Sequence, residues 1–157
     1  MGASLTLTSA ALAGEHERVV KPGDVPKPVV DAVKRRYPKA AIARWEREVE
    51  GGKTVYEAGI RDGMNKLDVE VSPDGKILVE ETTIPVEAIP AEVKKGISTS
   101  KYASWTIKRA ERVVENEDAD NPSYELLVGQ KGAMMEVVVD KGGAIKKEEK
   151  KSPRDKD

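Results

Sequence analysis

The chain reads as an α+β protein of two tandem repeats, each a short helix packed on a four-stranded antiparallel sheet. Three observations predict this. The sequence repeats itself: IARWEREVE (42–50) matches IKRAERVVE (107–115), VYEAGI (55–60) matches SYELLV (123–128), and LDVEVSPDGKILVEE (67–81) matches MEVVVDKGGAIKKEE (135–149), in the same order. Within these segments apolar and charged residues alternate, the pattern of strands with one buried and one wet face. Ahead of each set, VPKPVVDAVKRRYPKA (25–40) and IPAEVKKGISTSKYAS (89–104) space their apolar residues as a helix covering that buried face would. Self-similarity of this length and order marks duplicated supersecondary units, here placed at 24–84 and 85–150.

The elements follow in chain order. Residues 3–13, ASLTLTSAALA, carry no charge, and Ala11-Leu12-Ala13 has the small-x-small form of a signal-peptidase site. Residues 1–13 therefore read as a truncated signal peptide cut between Ala13 and Gly14; the alternative is a disordered tail, since no basic region precedes the apolar run. Pro26, Pro28 and Pro90 suit first helical turns, where a missing N–H costs nothing. Val29, Val33 and Tyr37 share one helical face, and Pro38 stops the helix. Val93 and Ile97 do the same in the second copy, where Gly96 and the Ser-Thr-Ser run weaken the helix.

Strand one sets Ala43, Trp45 and Val49 inward against Arg44, Glu46 and Glu48. Tyr56, Ala58 and Ile60 then oppose Glu57 and Arg61, and Leu67, Val69 and Val71 oppose Asp68 and Glu70. Tyr124, Leu126 and Val128, then Met135, Val137 and Val139, repeat this in the second copy. Asp62-Gly63, Asp74-Gly75 and Gly142-Gly143 supply hairpin turns. The stretch Thr82–Ile89 carries Ile84, Val86 and Ile89, apolar residues suited to packing between the copies. From Lys146 onward the composition collapses to charge and reads as a solvated tail, with 151–157 disordered.

Composition removes whole classes of chemistry. There is no Cys, so disulfides, thiolate metal sites and cysteine nucleophiles are absent, and one His, His16, excludes a conventional His-based triad. Lys and Arg total 27 against 28 Asp and Glu, a balance without the basic excess of general nucleic-acid binders. The apolar run at the amino terminus is too short to span a bilayer.

At this point the residues resemble a known family. The first copy, with Val25-Pro26, a short helix ending Tyr37-Pro38-x-Ala40, Glu46 and Glu48, Tyr56-Glu57, and Val69-x-Val71-x-x-Asp74-Gly75-Lys76, is similar to PepSY and PepSY-like domains of exported bacterial proteins. The second copy keeps Ile89-Pro90, Ala110-Glu111, Tyr124-Glu125 and Val137 to Val139, but loses the Tyr-Pro stop and the Asp-Gly-Lys turn. The resemblance implies a fold like that of the tandem-repeat β-lactamase-inhibitor proteins. It also implies an exported, periplasmic or extracellular, non-enzymatic module that binds or inhibits another protein such as a peptidase, with no catalytic residues and no cofactor.

Single residues add little chemistry. His16 reads as a solvated side chain. Glu80-Glu81 and Glu148-Glu149 point to opposite faces pairwise and read as edge-strand charges that discourage aggregation. The loop with Asn116, Glu117, Asp118, Asp120 and Asn121 lacks the spacing of a calcium site, so no metal is expected. Gly51-Gly52-Lys53 is a hairpin signal, and Trp45 and Trp105 read as core. The candidate partner-binding face is the charged one away from the helices, with Arg44, Glu46, Glu57, Asp68 and Glu70. Its expected partner is a protein or peptide, not nucleic acid. A peptide-holding, chaperone-like envelope protein working along a sheet edge is the alternative.

Overall fold

The structure, a computed structural model, describes residues 17–62 and 65–152. Nine strands pair antiparallel in strict chain order, β1-β2-β3-β4-β5-β6-β7-β8-β9, as one sheet. They are β1 Arg18–Val19, β2 Ala41–Glu50, β3 Lys53–Asp62, β4 Asn65–Val71, β5 Ile77–Ile84, β6 Thr106–Glu115, β7 Ser123–Gln130, β8 Ala133–Asp140 and β9 Ile145–Lys151. Helix α1, Lys27–Arg36, precedes β2, and α2, Ala91–Ser98, precedes β6. The two expected four-stranded units are thus joined into one continuous sheet. Its seam is β5–β6, where Val79 to Ile84 pair with Glu115 to Ala110. Closing that seam satisfies two rows of backbone donors and acceptors that separate sheets would leave open.

Both helices lie on one face of the sheet. Val29, Ala32 and Val33 of α1 pack with Trp45, Tyr56, Ala58, Ile60, Val69, Val71 and Ile77. Val93 and Ile97 of α2 pack with Ala110, Tyr124, Leu126, Val128, Val137 and Val139. Ile84, Val86 and Ile89 join this second cluster, so the linking stretch belongs to the second core and does not fill a gap between two. Trp105 packs there too, edge-on to Tyr102 with ring centroids 5.2 Å apart.

Several local readings change. Ala43 is exposed, because a bulge falls between Ile42 and Arg44 and Ile42 takes the inward position. An equivalent bulge separates Ile107 from Arg109. The extra residue shifts the phase of alternation by one, which a strict period-two count misses. The charged stretch from Lys146 to Lys151 is strand and not tail: it belongs to β9, which pairs with β8 from Val139–Ile145 to Met134–Lys151. Ile145 packs on the second core cluster, backbone bonds hold the rest, and Lys101–Glu148 at 2.9 Å and Lys151–Glu136 at 3.1 Å tie it down.

Gly96 earns its place in α2 by packing. A Cβ there would come within 2.0 Å of the Gly143 carbonyl oxygen, and one on Gly143, at φ +90°, within 2.3 Å of the Glu92 carbonyl. The β8–β9 turn therefore sits directly against the helix backbone, and only glycine permits that approach. The β4–β5 turn meets α1 in the same way, with Gly75 against the Pro28 carbonyl.

Glu80 is not an edge charge either, since β5 is a central strand. It is 4% exposed on the helix side, where Arg36 Nε donates to it at 2.9 Å and the Tyr37 hydroxyl donates to its Oε1. The residue just after α1 is thereby pinned to the sheet, and burial followed by the carboxylate of Glu80 drives the Tyr37 pKa up. In the second half Lys101, Tyr102 and Glu148 occupy the corresponding places. Lys101 pairs with Glu148, and burial followed by the carboxylate of Glu148 raises the Tyr102 pKa, the hydroxyl facing that carboxylate without the aligned bond that Tyr37 makes to Glu80.

Candidate binding face

Alternation puts the residues between the inward ones onto the opposite face of the sheet, which carries no helix among the described elements. The register then decides which of them meet. Glu46 stands opposite Glu57, Glu57 opposite Glu70, and Gly59 opposite both Arg44 and Asp68. All five residues expected on the candidate face are brought together on it.

Arg44 organises this half. Its guanidinium lies 2.8 Å from Glu46, 2.7 Å from Glu57 and 3.4 Å from Asp68, and Lys66 adds a 3.4 Å contact to Asp68. Gly59 makes room, since a Cβ there would fall 2.7 Å from Arg44 Cγ. Burial alone would lower the Arg44 pKa, but Glu46, Asp68 and Glu57 outweigh it and raise it. Burial, then Asp68, pushes the Glu57 carboxyl up to about 8 despite Arg44.

The other half of the face holds four further acids, Glu81, Glu111, Glu125 and Glu136; Glu81, like Glu80, is not an edge charge, because β5 is central, and none of the four is among the residues that the sequence assigns to a binding face. Glu111 stands opposite Glu125 across β6–β7. Glu111 and Glu136 are only 7% and 5% exposed, covered by side chains of neighbouring strands. Arg109 contacts Glu111 at 3.5 Å, and Lys151 contacts Glu136 at 3.1 Å. Glu125 is driven up to about 9, first by burial, then by a hydrogen bond with Glu136 and the charges of Glu136, Glu81 and Glu111. Burial, then Glu70, Glu111, Asp68 and Glu136, pushes Glu81 up to about 8. The signal was available: in the repeat alignment Arg44, Glu46, Glu57 and Asp68 fall on Arg109, Glu111, Glu125 and Glu136.

No three His, Cys, Asp or Glu side chains are grouped to hold a metal ion among the described residues. In the Asn116–Asn121 loop, Asn121 bonds Asp118, while Arg112 and Lys141 take the carbonyls of Ala119 and Asp120. Trp45 is buried core. Ala13, Gly14 and His16 lie outside the described residues. Among the described residues no helix is long and apolar enough to cross a membrane.

Three solved structures share the fold. A protein from Bacteroides eggerthii, described as a "putative periplasmic" protein, matches with TM-score 0.68 and 21% identity, over 80% of this chain and 88% of its own. A BLIP-like protein from Bacteroides fragilis matches with TM-score 0.63 and 21% identity, over 80% and 86%. A DUF2874 family protein from Bacteroides ovatus matches with TM-score 0.67 and 20% identity, over 82% and 89%. No curated protein matches the chain. The family model described as "Putative beta-lactamase-inhibitor-like, PepSY-like" matches residues 13–79 and again 54–147, and the chain belongs to this PepSY-like family.

Proposed function

We propose that this protein is an exported, non-enzymatic module that binds another protein through the helix-free face of its sheet, and so regulates or inhibits a secreted or envelope enzyme. The single observation that carries this is the asymmetry of the sheet: nine strands are covered by helices on one side, while the other side presents a broad field of part-buried charge. A face of that kind works by occlusion and complementary charge, without a nucleophile or a base. The description of the fold relatives as periplasmic and BLIP-like supports the export and inhibition parts of the reading. On this reading residues 1–13 are an export signal and the folded part comprises two tandem repeats, 24–84 and 85–150. The matched bulges at Ala43 and Lys108 and the matched turn glycines against each helix support the duplication.

The test is capture of partners from an envelope fraction with the native chain and with Thr83→Trp, which sets an indole in the middle of the open face. One stoichiometric partner, lost with Thr83→Trp, is the expected result. Many unfolded clients, retained by the variant, would favour the peptide-holding alternative instead.

A further inference from the structure

Resting on that reading of the face as a partner surface, we propose that its β5–β8 half docks a cationic polypeptide segment, one presenting lysine or arginine side chains beside apolar ones. The two halves of the face differ in how their charge is met. In the β2–β4 half, Arg44 already clamps Glu46, Glu57 and Asp68. In the β5–β8 half the cations stand at the flanks, Arg109 on Glu111 and Lys151 on Glu136. Glu81, between them, forms no ion pair among the described residues, and the charges that act on it most are further carboxyls: Glu70 and Asp68 from β4, Glu111 from β6 and Glu136 from β8. Glu125 is likewise surrounded by Glu81, Glu111 and Glu136.

The register adds a second feature. Val79 stands opposite Glu115, Glu81 opposite Val113, Glu125 opposite Val138, and Leu127 opposite Glu136. Acids and apolar side chains thus alternate in a checkerboard. Val79 and Val113 are buried, Val113 to 4% exposure, yet neither belongs to the two clusters beneath the helices. A metal ion does not match this pattern, because the carboxyls are not grouped around one point. A nucleic acid would bring charge of the same sign. Lysine and arginine match it, since each lays an apolar stem along a surface and ends in a cation.

Occupation by such a segment would also move protons. Glu81 and Glu125 hold theirs into the range of about 8 to 9, and a lysine amine beside them favours the ionised form. Affinity should therefore climb with pH across a window where ordinary carboxylates are already ionised and lysine is still charged.

The probe is an acetylated ten-residue peptide of alternating lysine and valine, with its glutamate–valine counterpart as control, added to the full chain. Amide shifts confined to β5–β8 are expected, with affinity rising at least tenfold from pH 6 to pH 8. It should fall at least tenfold in Glu81→Gln/Glu125→Gln, a pair that removes repulsion and keeps side-chain shape. Glu87→Gln/Glu92→Gln, on the helix side, should change it less than twofold. Equal binding of the glutamate peptide, shifts on β2–β4, or indifference to Glu81→Gln/Glu125→Gln would each overturn the proposal. If the lysine peptide fails while Thr83→Trp still abolishes partner capture, the face stands as a partner surface and only its cationic occupant is wrong.

Discussion

Replacing Glu81 by Gln should stabilise the protein, and by an amount that depends on pH in a defined way. The carboxyl is lifted from its ordinary 4.5 to about 8 by burial and by Glu70, Glu111, Asp68 and Glu136. Between those two values the folded chain binds a proton that the unfolded chain has released. Stability contributed by that proton is complete below pH 4.5 and is lost as pH rises through 8. At 1.36 kcal/mol per unit, a lift of this size sets a ceiling of about 5 kcal/mol. Water reaching the partly exposed carboxyl and small adjustments of its neighbours reduce this, and about 2 kcal/mol is the expected effect. Gln has the same shape and no charge, so it removes the loss. Native and Glu81→Gln chains should melt together at pH 4.5. By pH 8.5 the variant should gain roughly 4–8 °C, taking about 2–4 °C per kcal/mol for a chain of this size. Urea midpoints at pH 4.5, 6.5 and 8.5 measure the same difference independently. Glu57 and Glu125 titrate in the same direction, so the native chain loses stability in overlapping steps, and only the difference between the two proteins isolates Glu81. An advantage of equal size at all three pH values, or a variant less stable at pH 8.5, would refute the reasoning.

Three further outcomes test the scaffold. Tyr37→Phe removes the hydroxyl that donates to buried Glu80 and should cost about 1–2 kcal/mol, whereas Tyr102→Phe, whose hydroxyl faces the more exposed Glu148 without a well-aligned bond, should cost less than half as much in the same melts. Gly96→Ala would normally gain about 1 kcal/mol in a helix, but its Cβ meets the Gly143 carbonyl at 2.0 Å, so a loss of at least about 2 kcal/mol in urea midpoint is expected; a gain would show that the turn moves aside freely. A fragment from Glu87 to Lys150 lacks β5 and, with it, Ile84 and Val86 of the second cluster; it should show no sharp thermal transition, while the intact chain melts once.

Much of the scaffold is legible in the residues, and its failures have physical causes. Alternation marks the inward residues of β3, β4, β7 and β8 without error, because each sets its apolar residues beneath a helix and its charged ones on the other face. It fails at Ala43, where an inserted residue shifts the phase, and from Lys146 onward, where only Ile145 just before it is apolar and backbone pairing carries the strand. Gly96 looks like a weak point until the Gly143 turn is seen against it; propensity describes the isolated helix, whereas contact with a second backbone decides the residue. Alternation places the five residues of the candidate face together on the helix-free side, yet it names only the β2–β4 half of that side. Glu111, Glu125 and Glu136 were readable by carrying Glu46, Glu57 and Asp68 across the repeat. Glu81 was not, since its environment is made by β4, β6 and β8 together and no local pattern records it.

That difference between the halves has a consequence for how such a face can diverge while the fold persists. The helix side holds matched devices in both halves: a turn glycine against each helix and a basic residue and tyrosine beside a glutamate of the last strand. Changes to the turn glycines strain backbone, and loss of the Tyr37 hydroxyl leaves the buried Glu80 carboxylate short of a donor, so both are costly. On the open face the same four positions, Arg44, Glu46, Glu57 and Asp68 against Arg109, Glu111, Glu125 and Glu136, support two electrostatic states. In one a guanidinium closes the network on itself. In the other, Glu125 and Glu136 share a hydrogen bond and the nearest amine comes from β9. A closed network has little to offer an incoming charge, whereas protonated carboxyls are a reserve that a cation can call out. Transplanting the first state tests this directly: Leu127→Arg, opposite Glu136 and adjoining Arg109, would place a second guanidinium in the β5–β8 half. The expected result is a Glu125 carboxyl, followed by carbon-13 NMR, that titrates at least one unit lower than in the native chain. An unchanged titration would show that burial alone, and not the missing cation, holds the proton there.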